Sequence, residues 1–185
     1  AKLLENAKIE ITESSMIKDD TNHIDWYYPI NIERPYWETH KVWLGKNLKL
    51  PLTVINSIDR STDDILSKLE DPNREGNWDR RGIVVGSVQS GKTGHFIALA
   101  NKAVDAGYKR IVVLSGLTND LRRQSNFRLD EGFFGFNTDF LGDNKTSLAP
   151  VDRRMALPLG VIRGNDFKRP FTLTSSNMKG DLNTA

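Results

Sequence analysis

Gly86-Ser87-Val88-Gln89-Ser90-Gly91-Lys92-Thr93 is the stretch on which the reading of this 185-residue chain turns. Glycine, four residues, then Gly-Lys-Thr is the P-loop pattern. Its neighbours are those the pattern needs. Ile83-Val84-Val85 ahead of it is a short apolar, β-branched run of the kind that forms a buried parallel strand. Behind it Phe96, Ile97, Leu99, Ala100, Ala103 and Val104 recur at helical spacing, and Gly107 stands where a helix C-cap belongs. Strand, glycine loop and helix, in that order, predict a βα unit with a phosphate at its turn.

The chemistry follows from that geometry. Gly86 and Gly91 let the backbone turn so that successive N–H groups point inward around a phosphate, with Ser87, Val88, Gln89 and Ser90 completing the cradle. A helix beginning near Lys92 adds the positive end of its dipole. Lys92 is spaced to reach the β- and γ-phosphates of ATP as a point charge, and the Thr93 hydroxyl to ligate Mg²⁺. These two are the candidate catalytic residues. The plainer alternative is a glycine-rich βα turn followed by a solvated lysine.

Composition narrows the field. A hydrophobic share of 38% and a charged share of 27% belong to an ordinary globular chain. Without cysteine, neither disulfides nor thiolate zinc sites are available. His23, His40 and His95 are too scattered to suggest a metal cluster. No apolar run approaches a membrane span, so a soluble, cytoplasmic protein without membrane partners is expected. The net charge of +2 is unevenly spread. Residues 1–75 hold ten Lys/Arg against fourteen Asp/Glu, and residues 76–185 hold sixteen against ten. A basic second part suits a polyanion such as DNA, and equally suits phosphate binding alone.

Taken in order, residues 1–75 read as a mostly helical N-terminal region and 76–185 as the first part of a P-loop ATPase core. Lys8–Thr12 alternates like a half-exposed strand, and Trp26-Tyr27-Tyr28-Pro29 reads as a core plug or a docking surface. Pro35 opens a helix carrying Tyr36, Trp37, His40, Trp43 and Leu44, which Gly45 stops. Pro51 begins a second helix with Leu52, Ile55 and Ile58, and Thr62-Asp63-Asp64 caps a third through Leu69. Arg110–Ser115 is a second apolar strand, parallel to the first. Thr118-Asn119-Asp120 caps a further core helix that ends at Glu131-Gly132. Later residues are rich in turn formers, with 159–162 and 171–174 as strands returning to the sheet.

Several blocks together resemble the Z-one domain family. They are Val85–Thr93, Ala103-Val104-Asp105-Ala106-Gly107-Tyr108, Val112-Val113-Leu114-Ser115-Gly116, Leu121-Arg122-Arg123-Gln124 and Arg128-Leu129-Asp130-Glu131-Gly132, all within residues 78–135. Members are large bacterial proteins with a helicase-like P-loop ATPase core, often tied to restriction or anti-phage operons and catalogued as endonucleases. The resemblance implies an α/β fold with a RecA-like, helicase-type parallel sheet and flanking helices. It also implies that Thr118, Asn119, Arg122 and Gln124 touch a DNA backbone. Helix capping by Thr118 or Asn119, with solvated arginines, is the alternative for the same residues.

Two features depart from a complete motor. No glutamine precedes Gln89 to read adenine, which leaves Trp78, Arg80 or Arg81 as candidates to stack on the base. No apolar run after residue 132 ends in paired acids to hold Mg²⁺ and orient water. The expectation is an incomplete ATPase core, an N-terminal piece that works with further domains of the same polypeptide and with other defence-system subunits. Three rival readings remain. The first is an endonuclease component whose cutting site lies outside this chain. The second is a small-molecule kinase using Arg153, Arg154, Arg163 and Arg169 as a lid. The third is a nucleotide-sensing interaction module.

Overall fold

The computed structural model describes residues 22–84, 92–114, 118–138, 160–162 and 172, and of Lys92 and Thr93 the backbone alone. The glycine loop 85–91 and the Lys8–Thr12 run lie outside the described residues.

Helix α1 is Pro35–Lys46. It starts at Pro35, whose fixed φ suits a first helical position, and it runs one residue past Gly45. Its buried residues are Tyr36, Trp37, His40, Trp43 and Leu44, the stripe that the spacing predicts. The cap comes from elsewhere in the chain. The Asp105 carboxylate accepts from the Tyr36 and Trp37 backbone N–H groups at 3.0 and 2.9 Å. It thus satisfies two orphan donors and places negative charge at the positive end of α1.

Helix α2 is one continuous element, Leu52–Lys68, where two helices meeting at Thr62 were expected. Thr62 is fully buried, and its hydroxyl donates back to the Ile58 carbonyl at 2.6 Å. That bond satisfies the side chain inside the helix, so the residue has no need to act as a cap. At and just beyond its C-terminal end, three side chains meet carbonyls. Trp26 Nε1 donates to Leu69 O at 2.8 Å, the Tyr108 hydroxyl donates to Glu70 O, and His23 Nε2 hydrogen-bonds Ser67 O at 3.0 Å. Trp26 and Tyr27 accordingly belong to the core, while Tyr28 stays exposed.

Helix α3, Lys92–Asp105, is the element the others pack around. Its last turn closes as a Schellman motif: Tyr108 N–H donates to Ala103 O at 2.9 Å and Gly107 N–H to Val104 O at 3.0 Å. Gly107 there takes φ +100°, open to glycine at little cost. Every apolar cluster takes a residue from α3. Ala98 sits with Trp37, Trp43, Leu44, Ile55, Ile58 and Val161. Ile97 and Ala100 meet Tyr36 and Phe133. Ala103 meets Tyr27 and Leu66.

Helix α4, Asn119–Leu129, continues into a π-helical turn, Asp130–Phe134, which ends at Gly135 rather than at Glu131-Gly132. The π turn is the buried part. Asp130 accepts from Thr138 N–H and Oγ1 at 3.0 and 2.9 Å, and Asn101 Nδ2 donates to Gly132 O at 3.1 Å. α4 itself carries no buried residue, so it is not the core helix that the sequence suggests.

The expected parallel sheet is absent: among the described residues there is no β-strand. Ile83 and Val84, and all of Ile111–Leu114, are exposed. The reason lies in α3. A parallel sheet needs helices laid on its faces, but the apolar side of α3 is already filled by α1, α2 and the π turn. Of the two later strands that were to complete the sheet, the described part of the first, Gly160–Ile162, sends Val161 into the helical core with its N–H on Glu131 O at 2.7 Å. Of the second, only Thr172 is described. The RecA-like, helicase-type α/β architecture is therefore replaced by a helical body.

Candidate nucleotide-binding site

The site expected from sequence is the loop Gly86–Gly91 together with Lys92 and Thr93. The loop lies outside the described residues, whereas Lys92 and Thr93 form the first two positions of α3. From the lysine of the pattern onward the described backbone is thus helical. The first described turn of α3 carries no acidic residue, so no acidic side chain in that turn neutralises the partial positive charge of its N–H groups.

Three residues further on, His95 Nε2 lies 3.1 Å from Ser61 Oγ on α2. Deeper in α3, neighbouring polar residues each tie the helix to a different element: Asn101 to the π turn, Lys102 to α2, Asp105 to α1. The Lys102 ammonium is fully buried and has three close acceptors. These are Asp59 O and Oδ1, both at 2.6 Å, and Asp63 Oδ1 at 2.7 Å. It also lies 4.6 Å from the centre of the Trp37 ring. Arg34 lies 3.5 Å from Asp59 and 3.4 Å from Asp63, and Lys41 3.8 Å from Asp59. Burial raises the Asp59 carboxyl, but Lys102, Arg34 and Lys41 outweigh it and hold the group below the usual carboxylate range. The Tyr27 hydroxyl, donating to Asp63 at 2.8 Å, is pushed well up by burial and by that same carboxylate.

Upstream of the loop, Glu70 is almost wholly buried and accepts from Arg80 Nε at 2.9 Å, with Arg74 2.7 Å away. Burial raises its carboxyl and the two arginines bring it below normal. Arg80 is thus engaged by a buried acid, and Arg81 pairs with Asp79 at 2.7 Å on the surface. Trp78 is 40% exposed.

The proposed nucleic-acid residues fall on α4. Thr118 is its N-cap and accepts from Leu121 N–H at 3.3 Å. Asn119 and Arg122, three apart, share one face, whereas Gln124 points to the other side. The helix therefore does not gather all four residues on one surface. Among the described residues no group of three or more His, Asp or Glu is placed to hold a metal ion.

Sequence reading missed Lys102, Asp59, Asp63 and Asp105. Signals were present. Asp59 and Asp63 are one helical turn apart, and Lys102 interrupts an apolar run. Asp105 ends a helix where negative charge disfavours its own dipole, a sign that it serves another one. No family model, curated protein or solved structure matches this chain.

Proposed function

We propose that residues 86–93 bind the phosphates of Mg-ATP. On this reading the protein is the ATP-binding part of a helicase-like, DNA-dependent ATPase or translocase of a restriction or anti-phage defence system. The observation that carries the proposal is that Lys92 and Thr93, directly after Gly86–Gly91 in the sequence, lie in helix α3, whose first described turn holds no acid. The chemistry needs no sheet. Backbone N–H groups and a helix terminus cradle an anion through local geometry alone. In this reading Lys92 meets the β- and γ-phosphates and Thr93 ligates Mg²⁺, while Asn119 and Arg122 face DNA from α4.

The test is ATP hydrolysis by the full-length gene product, with and without single- and double-stranded DNA, beside a Lys92→Ala variant. We expect DNA to accelerate turnover. The variant is expected to lose nucleotide binding while keeping its helical circular dichroism. Wild-type affinity in the variant sinks the assignment.

One observation favours a second reading. Ile83, Val84 and Ile111–Leu114 lie exposed before and after α3 in the chain, as apolar surface does in a nucleotide-sensing module that docks a partner. ATP binding without any effect of DNA favours that module.

A further inference from the structure

We propose that Lys102 is a positioning residue: its ion network with α2 sets the tilt and rotation of α3, and thereby the aim of the helix's first turn at a bound polyphosphate. The inference rests on the phosphate-binding reading of residues 86–93.

The argument begins with what the lysine replaces. A methionine would fill nearly the same volume, and exchanging a buried ion cluster for apolar residues often leaves stability unchanged or raised. Apolar packing has no preferred direction, however. The Lys102 ammonium has three N–H donors and meets three acceptors, all within 2.7 Å, on two residues one turn apart in α2. The Trp37 ring of α1 lies 4.6 Å from the ammonium. An ammonium held by two residues of one helix beside the ring of another fixes both position and rotation.

Leverage makes this matter. Lys102 stands ten residues from Lys92, about 15 Å along the axis. A tilt of about ten degrees about the lysine moves the first turn by about 2 to 3 Å, whereas a binding constellation tolerates about 0.5 Å. Nearer that turn, His95 also reaches α2, through Ser61. Helix α2 is thus the frame against which the phosphate end of α3 is set.

The test uses the whole chain with Mg-ATP and with inorganic tripolyphosphate as probes. The informative variant is Lys102→Met combined with Asp59→Asn and Asp63→Asn, which removes the fully buried ammonium together with both acids; Arg34 and Lys41, which lose these partners, are both partly exposed to solvent. We expect cooperative unfolding to survive and the Kd for Mg-ATP to rise at least about tenfold. The variant is one unit more positive, so simple attraction predicts the opposite. Wild-type affinity in a cooperatively folded variant overturns the proposal.

Hydrogen exchange on the wild type decides the matter if the variant fails to fold. Mg-ATP is expected to slow exchange along α3 as far as Lys102 and in α2 around Asp59 to Asp63. Protection confined to residues 92–95 overturns the proposal. A wild type that binds neither probe overturns the phosphate-binding reading itself and this inference with it. A wild type that binds while the variant binds equally removes the inference alone.

Discussion

Helices α3 and α4 are of similar length and both follow turn-rich sequence, yet their situations are opposite. α3 contributes to all three apolar clusters and ties its polar side chains to α1, α2 and the π turn. α4 has no fully buried residue; it is held by the Thr118 cap at one end and, at the other, by the π turn and by Leu129, which packs against the Ile97 cluster. An isolated helix of about eleven residues is marginal in water. The contrast shows where helical stability arises in this protein: α3 is kept by what surrounds it, α4 by its two ends.

The contrast can be broken most sharply at Lys102. Lys102→Met leaves Asp59 and Asp63 without their closest partner. It is expected to cost about 3 kcal/mol, the low end for a broken buried ion pair, because Arg34 and Lys41 still face the aspartates. Denaturant unfolding measures it, and a loss below about 1 kcal/mol would show that the network contributes little to stability.

Gly132 joins the two helices. A Cβ there would stand 2.8 Å from Ile97 Cγ2 and 3.1 Å from His40 Cε1. Gly132→Ala should therefore cost about 1–3 kcal/mol through overpacking, read as a lower unfolding midpoint. An unchanged midpoint would mean that the π turn shifts freely. Thr118→Ala is expected to cost about 1 kcal/mol, confined to α4. Exchange of the Leu121 and Arg122 amides should quicken about fivefold while global unfolding stays put. A global change would contradict the isolation of α4.

The smallest effect at neutral pH comes from titration. Asp59 and Glu70 are held below their ordinary range. Their contribution is complete above about pH 5 and is lost as pH falls further. Burial first, then the charges of Glu70 and Asp71, push the Tyr108 hydroxyl from 10.0 up to about 12. Its contribution is complete below pH 10 and is lost as pH rises from 10 towards 12. Unfolding free energy measured across pH should be flat between these limits and fall on both sides. A curve flat through pH 12 would remove the tyrosine from the account.

Much of the helical body was legible from spacing. The five buried residues of α1, the helix that carries Phe96 to Val104 and the Gly107 cap follow from local rules that act within a few residues. The sheet was not, and the reason is physical. Ile83–Val85 and Ile111–Leu114 have strand composition, but a strand exists only with partners and covered faces. That is a property of what α3 has left to offer, which no local window contains. Thr62 misled for a related reason. A threonine before two aspartates reads as a cap, and only the burial of its hydroxyl against Ile58 O shows otherwise. At the candidate site the helix was readable, while the buried network behind it joins residues some forty positions apart.

Val161, in the same cluster as Trp37, Ile58 and Ala98, has a consequence for synthesis. A ribosome adding about 5–20 residues per second takes roughly 3 to 11 seconds to pass from Asp105 to Val161. Throughout that interval α1, α2 and α3 are already made, yet their shared cluster lacks one wall. The nascent helices must wait with apolar surface uncovered, which makes this the interval in which a chaperone has most to shield.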